Sequence, residues 1–240
     1  MFPGVVVKSK YQTALIVGAG DGLSASVART FARDGGMRIA LAARNPGKLT
    51  ALAKELDAAT LACDAAEPAQ VKAMFARADE VFGAPPDVVV YNPSFRVRGS
   101  IVDIDPAAVA KALAITAYGG FLVAQQAALR MVPRGSGAIL FTGASASVKG
   151  YPLSASFAMG KFALRGLAQS IARELQPKGI HVAHFVIDGG IRGPRHVEAP
   201  DAPDSILDPD AIAQNYLNVL NQDRSAWTWE MELRPWVEKF

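Results

Sequence analysis

Leu15–Ile16–Val17–Gly18–Ala19–Gly20–Asp21–Gly22–Leu23–Ser24 is the stretch on which the fold turns. An apolar run, Thr13–Val17, reads as a buried strand, and Leu23–Arg33 repeats apolar residues at helical spacing. Three glycines lie between them. A chain that bends sharply from strand to helix, and lets a pyrophosphate approach its backbone, has no room there for side chains. The helix that opens near Gly22 presents unpaired N–H groups and the positive end of its dipole to such a phosphate. Gly18, Gly20, Asp21, Gly22 and Leu23 are therefore candidate dinucleotide contacts. A plain tight turn would use the same glycines. What favours the dinucleotide is the place of this turn in the first of a series of strand–helix units. The missing Gly-Lys-Ser/Thr ending excludes a P-loop.

Outward from that turn the alternation continues. Arg38–Ala42, Thr60–Cys63, Asp87–Tyr91, Gly137–Thr142 and His181–Ile187 read as further strands. They are near-continuously apolar, as strands covered on both faces are. Helical patterns fill the intervals at Pro46–Leu56, Glu67–Phe82, Pro106–Met131 and Ser154–Leu175. A helix over Asp208–Asn221 and a last strand over Trp227–Leu233 are predicted, with a short tail to Phe240. Strand then helix, repeated, predicts an α/β chain: a single domain over 1–240 with a doubly wound, mostly parallel sheet and helices on both faces. Residues 188–208 hold several charges and prolines without a period, and are expected to form a mobile loop over the site.

Composition agrees with one soluble domain. The chain has 240 residues, 50% of them hydrophobic and 20% charged, with a net charge of +3. No dense Lys/Arg run marks a nucleic-acid surface. The single cysteine, Cys63, fits a reducing compartment. The start of the chain has only the short apolar run Val5–Val7, so neither a signal peptide nor a membrane span is expected, and the cytoplasm is the expected location.

Strand ends carry the next candidates. Arg44 and Asn45 follow the second strand, where an acidic side chain would bind the ribose 2′-hydroxyl of NAD. A guanidinium suits a 2′-phosphate and can stack on adenine, with Lys48 adding charge, so NADP(H) is expected ahead of NAD(H). Arg44 could instead only solvate a strand end. Asp64, after the third strand, is placed to accept from the adenine amino group or to cap the next helix.

These residues, with Lys161–Phe162–Ala163–Leu164–Arg165–Gly166–Leu167, Arg173–Glu174–Leu175 and Gly179–Ile180–His181–Val182, resemble the short-chain dehydrogenase/reductase family over nearly the whole chain. The resemblance implies a Rossmann fold, a nicotinamide cofactor and hydride transfer to or from a small carbonyl or alcohol. Gly18 and Gly22 match the glycine signature, and Ser24 stands where a third glycine is usual. Of the family's Asn-Asn-Ala-Gly turn only Asn92 remains, in Tyr91–Asn92–Pro93–Ser94. Gly189 keeps half of a Pro-Gly turn, after Asp188, and Ile191 keeps the apolar position whose backbone would meet the carboxamide. Gly193 stands where a threonine often follows.

The departures fall on the implied catalytic set. The family's Tyr-x-x-x-Lys pair reads Phe157–Ala158–Met159–Gly160–Lys161 here: the lysine that would hold the nicotinamide ribose is present and the phenol is not. The serine falls near Ala144 or Ser145, of which only Ser145 has a hydroxyl, and the asparagine falls at Thr116. Tyr151, Tyr91, Tyr118 and Asp188 are the candidates to manage the proton instead. Each also has a plain reading: Tyr91 and Tyr118 as core aromatics, Tyr151 and Asp188 as loop surface.

Other chemistry finds little footing. His181 and His184, three apart on a strand, point to opposite faces, so a zinc site is not expected. Ser154 and Ser156 have no partnered histidine in a nucleophile-elbow context. Trp227 and Trp229 would share a face if their segment is a strand, closing a pocket or a subunit contact. The resemblance also implies a homodimer or homotetramer built on the helices Pro106–Met131 and Ser154–Leu175. Three functions stay open: an NADP(H)-dependent oxidoreductase with an altered proton relay, a dinucleotide-binding protein without dehydrogenase activity that acts as a redox sensor or assembly partner, and a Rossmann fold that binds no dinucleotide.

Overall fold

Seven parallel strands form one sheet in the order β3-β2-β1-β4-β5-β6-β7 in a computed structural model that describes residues 9–193 and 196–238. The Val5–Val7 run and the last residues of the tail lie outside that description. In chain order the elements are β1 (Thr13–Val17), α1 (Leu23–Arg33), β2 (Arg38–Ala43), α2 (Thr50–Leu56), β3 (Ala59–Ala62), α3 (Pro68–Phe82), β4 (Val88–Tyr91), α4 (Pro106–Leu113) and α5 (Gly119–Met131). β5 (Gly137–Thr142), α6 (Ala155–Leu175), β6 (Ile180–Ile187), α7 (Pro209–Leu220) and β7 (Glu230–Leu233) complete it. This is the single-domain Rossmann-type α/β fold expected from the alternation.

Strand side chains alternate between two cores. Ala14 and Ile16 of β1, with Phe185 and Ile187 of β6, pack under α1 and α7; Leu15, Val17, Val182 and Phe141 pack under α3, α5 and α6. Burial on both faces is why these strands read as unbroken apolar runs. The apolarity of Pro106–Arg134, long enough to cross a bilayer by length and composition, has the same origin: Leu122, Val123, Ala127 and Met131 are buried among α3-, α6- and sheet-facing residues.

Three expectations change in detail. Pro106–Met131 is a continuous helical rod, but Ala114–Tyr118 is a π turn, in which Gly119 N–H donates to the Ala114 carbonyl. The buried Tyr91 hydroxyl donates to the Ile115 carbonyl inside that widened turn, which ties it to β4. The last strand starts at Glu230 rather than Trp227. Trp227 stacks on His181, with centroids 4.5 Å apart, whereas Trp229 packs on the α6-side core beside Arg165. The two indoles do not share a face, because period-two alternation holds only where the backbone is extended and paired. β3 begins one residue early, at Ala59.

The order of the strands reverses between β1 and β4. In open α/β sheets a ligand crevice forms at the carboxyl ends of strands flanking such a switch. Within 188–208 the described residues form no helix or strand; bridges join Ile191 to Leu207 and Gly193 to His196, and Arg192 ion-pairs with Asp208.

Candidate functional site

A cleft of about 930 Å³ opens at that switch point, lined by Gly18, Gly20 and Asp21 after β1, Arg44, Asn45 and Lys48 after β2, and Asp64 after β3. Its other wall is Asn92–Arg96 after β4, with Ile115 and Phe157. The volume is at the upper end of the range for small-molecule sites.

The glycine turn is shaped by its neighbour. Gly18 has φ +80°, and a Cβ there would lie 2.6 Å from Pro93 N, so only glycine lets the β1 and β4 turns touch. A Cβ on Gly20 or Gly22 would meet nothing within 4 Å. α1 starts at Leu23 behind the N-cap Gly22, with no side-chain cap and no acidic residue in its first turn. That leaves its N-terminal donors and positive dipole end for an anion. Ser24 does not leave the turn looser than a glycine would. Asn92 Nδ2 donates to Ser24 Oγ at 2.6 Å and Ser24 Oγ donates to the Gly18 carbonyl at 3.0 Å, so one hydroxyl bridges the β1 and β4 turns.

Arg44 and Lys48 make no ion pair among the described residues, and both face the cleft. Asp64 lines it too. Its Oδ1 accepts from Ala66 N at 3.1 Å, an Asx turn ahead of α3 rather than a cap on α3, whose first residue is preceded by Glu67. These groups fit a dinucleotide: a bare helix N-terminus over open glycines, a free cation pair at one end and a carboxylate with spare acceptor capacity.

At the far end Phe157 forms the wall, and Lys161 lies behind it. Lys161 is 3% exposed; its Nζ donates to the Thr142 carbonyl at 2.7 Å and sits 5.9 Å from the Phe157 ring centre. Burial lowers its pKa to about 8. Thr116, in the π turn, accepts from Phe95 N at 3.3 Å and packs on Gly160, where a Cβ would come within 3.0 Å of it. Ser145 opens a 3-10 turn, Ser145–Ser147, just after β5. Neither Lys161, Thr116 nor Ser145 reaches the wall of the cleft, and Gly22, Leu23, Gly189 and Ile191 also lie outside its lining.

The alternative proton carriers are placed apart from it. Tyr151 is 45% exposed on the loop before α6, and Tyr118 is exposed and stacked on Phe121. Asp188 is buried, not loop surface, and accepts from Lys149 Nζ at 2.8 Å. Two further phenols are buried with their hydroxyls occupied: Tyr216 bonds Thr142 Oγ1 at 2.9 Å, and Tyr11 donates to the Gly137 carbonyl at the opposite end of β5.

Beneath the Ser145 turn runs a buried polar chain that the sequence did not announce. Ser147 Oγ lies 3.3 Å from His184 Nε2, and His184 Nδ1 lies 3.1 Å from Glu230, which also receives Arg165 at 2.7 Å. Burial pushes the His184 pKa down to about 4, against the pull of Glu230, so the ring is neutral near pH 7. Against its own burial, the Arg165 guanidinium holds the Glu230 carboxyl below the usual range. His184 also fills the space a Cβ on Gly143 would take. Ser147 and His184 are fully buried, Glu230 and Arg165 only partly, and the chain ties the loop after β5 to β6 and β7.

Phe95, Arg96 and Ile115 are the wall residues that sequence reasoning missed. For Phe95 and Arg96 the altered family turn at Tyr91–Ser94 was the available signal, since the residues just beyond it line the same crevice.

The chain matches the short chain dehydrogenase family over residues 12–196. It is 30% identical over 196 residues to a short-chain dehydrogenase/reductase of Armillaria gallica, which covers 78% of this chain and 74% of the relative. A short-chain dehydrogenase structure from Rhodopseudomonas palustris superposes with a TM-score of 0.80 at 35% identity, over 94% of this chain and 99% of that one. A metagenomic short-chain oxidoreductase solved with NADP superposes at TM-score 0.80 and 25% identity, over 93% and 97% of the two chains. The protein belongs to the short-chain dehydrogenase family and is an oxidoreductase of that type.

Proposed function

We propose that the protein is an NADP(H)-dependent oxidoreductase that interconverts a small carbonyl compound and its alcohol without a phenol at position 157. The observation that carries this is one continuous cleft with free Arg44 and Lys48 at one end and Phe157 over Lys161 at the other. The NADP in the metagenomic relative supports it.

Gly18, Gly20, Asp21, Gly22 and Leu23 would hold the pyrophosphate on the α1 N-terminus. Arg44, Asn45 and Lys48 would hold the 2′-phosphate, and Asp64 the adenine amino group. Asn92, Gly189 and Ile191 would border the nicotinamide. The bound nicotinamide supplies or accepts the hydride at its C4. Lys161 would rotate from the Thr142 carbonyl to the ribose hydroxyls, and Ser145 would orient the substrate oxygen. Thr116 replaces an asparagine amide with a hydroxyl in the π turn. In the reducing direction the carbonyl carbon would gain the hydride and its oxygen would take a proton from water, Tyr151 and Asp188 lying away from the cleft. Loss of a positioned general acid costs about a hundredfold to ten-thousandfold in rate, so slow turnover is expected.

We also propose that residues 188–208 cover the substrate, and that the protein is a cytoplasmic homodimer or homotetramer. Support for the oligomer is an exposed apolar groove of about 440 Å³ between α5 and α6, lined by Phe121, Leu129, Leu167 and Ile171. The buried, free Cys63 suits a reducing compartment.

The experiment is a fluorescence titration with NADPH and NADH, followed by a carbonyl and alcohol panel against a Lys161→Ala control. NADPH binding with turnover above the control supports the proposal. Binding without turnover favours a sensor, and no binding of either nucleotide removes a dinucleotide role.

A further inference from the structure

Arg96 is a cation in the cleft wall with almost nothing to do. No carboxylate pairs with it among the described residues. One of its five N–H donors is used, from Nη2 to the buried Ser154 Oγ at 3.0 Å. The guanidinium carbon lies over the Phe157 ring, 5.2 Å from its centre. The remaining donors form a fork that matches a carboxylate.

Its backbone is held from both sides. Phe95 N donates to Thr116 Oγ1 in the π turn, Ser156 Oγ donates to the Val97 carbonyl at 2.7 Å, and Gly99 N donates to the Leu153 carbonyl at 3.1 Å. Leu153, whose carbonyl accepts that bond, has φ +60°. A leucine in the left-handed region is unusual, and such strain is kept where the surroundings require that conformation. Arg96 is thus carried on a clamped segment.

In the proposed binding mode Arg44 and Lys48 would take the 2′-phosphate and the α1 N-terminus the pyrophosphate. Arg44 follows β2 and Arg96 lies five residues beyond the end of β4, and β1 stands between those two strands in the sheet. Beside Arg96 the wall is apolar: Phe95, Ile115 and Phe157. The Lys111 ammonium lies 5.6 Å from the Phe95 ring centre.

We propose that Arg96 binds a carboxylate of the substrate, so that this site takes a small oxo acid or its hydroxy acid, with the apolar part between Phe95, Ile115 and Phe157. As a substrate class this rests on the oxidoreductase reading; as an anion site it does not. A single fork with no second cation in contact suits a carboxylate monoanion.

The test uses the full chain and probes paired by charge: pyruvate, acetoacetate and levulinate against their methyl esters. Calorimetry measures binding to the protein with and without NADP⁺, and absorbance measures turnover with NADPH. At least one acid is expected to bind, with kcat/KM about tenfold to a hundredfold above its ester, the range of a charge-assisted pair. Arg96→Met removes that preference through KM, and Arg96→Lys, which keeps the charge without the fork, recovers part of it. Equal use of acids and esters, a preference that survives Arg96→Met, or no binding of any acid overturns the inference. If acids bind through Arg96 while neither nucleotide binds, the anion site stands and the oxidoreductase reading falls. If neutral carbonyls are reduced well and carboxylates confer nothing, the reverse holds.

Discussion

Phe157 and Lys161, one helical turn apart on α6, are in cation–ring contact: the buried ammonium lies 5.9 Å from the ring centre while Arg96 meets the same ring at 5.2 Å. Two cations therefore converge on a side chain that cannot hold or release a proton. A phenol in the same place would be acidified by both. Phe157→Tyr is expected to raise NADPH-dependent carbonyl reduction by about a hundredfold, the lower range for a positioned general acid. Steady-state rates at 340 nm check this. A fall in rate would show that the apolar ring is itself required, and that the proton route does not pass through this position.

Arg44 is expected to set the choice of nucleotide. Removing one charge-assisted contact costs about 1.5–3 kcal/mol. Arg44→Ala should therefore weaken NADPH by roughly tenfold to a hundredfold and leave NADH within a few-fold. Parallel fluorescence titrations of both nucleotides give the ratio directly; an unchanged ratio would mean that Arg44 only solvates the end of β2.

Ser24 gives a prediction opposite to the one motif matching would give. A glycine at this position is closer to the usual signature, yet Ser24→Gly strands the Asn92 amide and the Gly18 carbonyl that its hydroxyl now bridges. It also adds the backbone-entropy cost of a glycine in the first turn of α1. We expect a loss of about 2 kcal/mol in urea unfolding. Equal or greater stability would show that water replaces the hydroxyl without penalty.

His184 makes stability depend on pH. Its folded pKa, about 4, is below the usual 6.5, so the unfolded chain binds more protons between those values. The contribution is fully present above pH 6.5 and is lost as pH falls through 4. The shift corresponds to roughly 3 kcal/mol. Wild type should lose that much more stability than His184→Asn between pH 7 and pH 4, read from denaturant midpoints. Parallel curves for the two proteins would mean that neighbouring carboxylates carry the acid response instead.

Much of the protein could be read along the chain because its cause is local. Val88–Tyr91 and Gly137–Thr142 are apolar on both faces since helices cover both faces, and a run of that kind is visible without knowing its partners. The turn at Gly18 and the residues at strand ends, Arg44, Asp64 and Asn92, fall in one crevice because parallel strands bring all their carboxyl ends to the same edge. What the fold alone decided arises from pairings distant in sequence. The π turn at Ala114–Tyr118 is held by Tyr91, and Arg96 is clamped by Thr116, Leu153 and Ser156, which lie 20 to 60 residues further on. Ser147, His184 and Glu230 meet because β5, β6 and β7 are neighbours in the sheet. Periodicity reports which face of an element is buried. It carries no information about which side chain from another element arrives there, and at this site those arrivals decide what the cleft presents to a ligand.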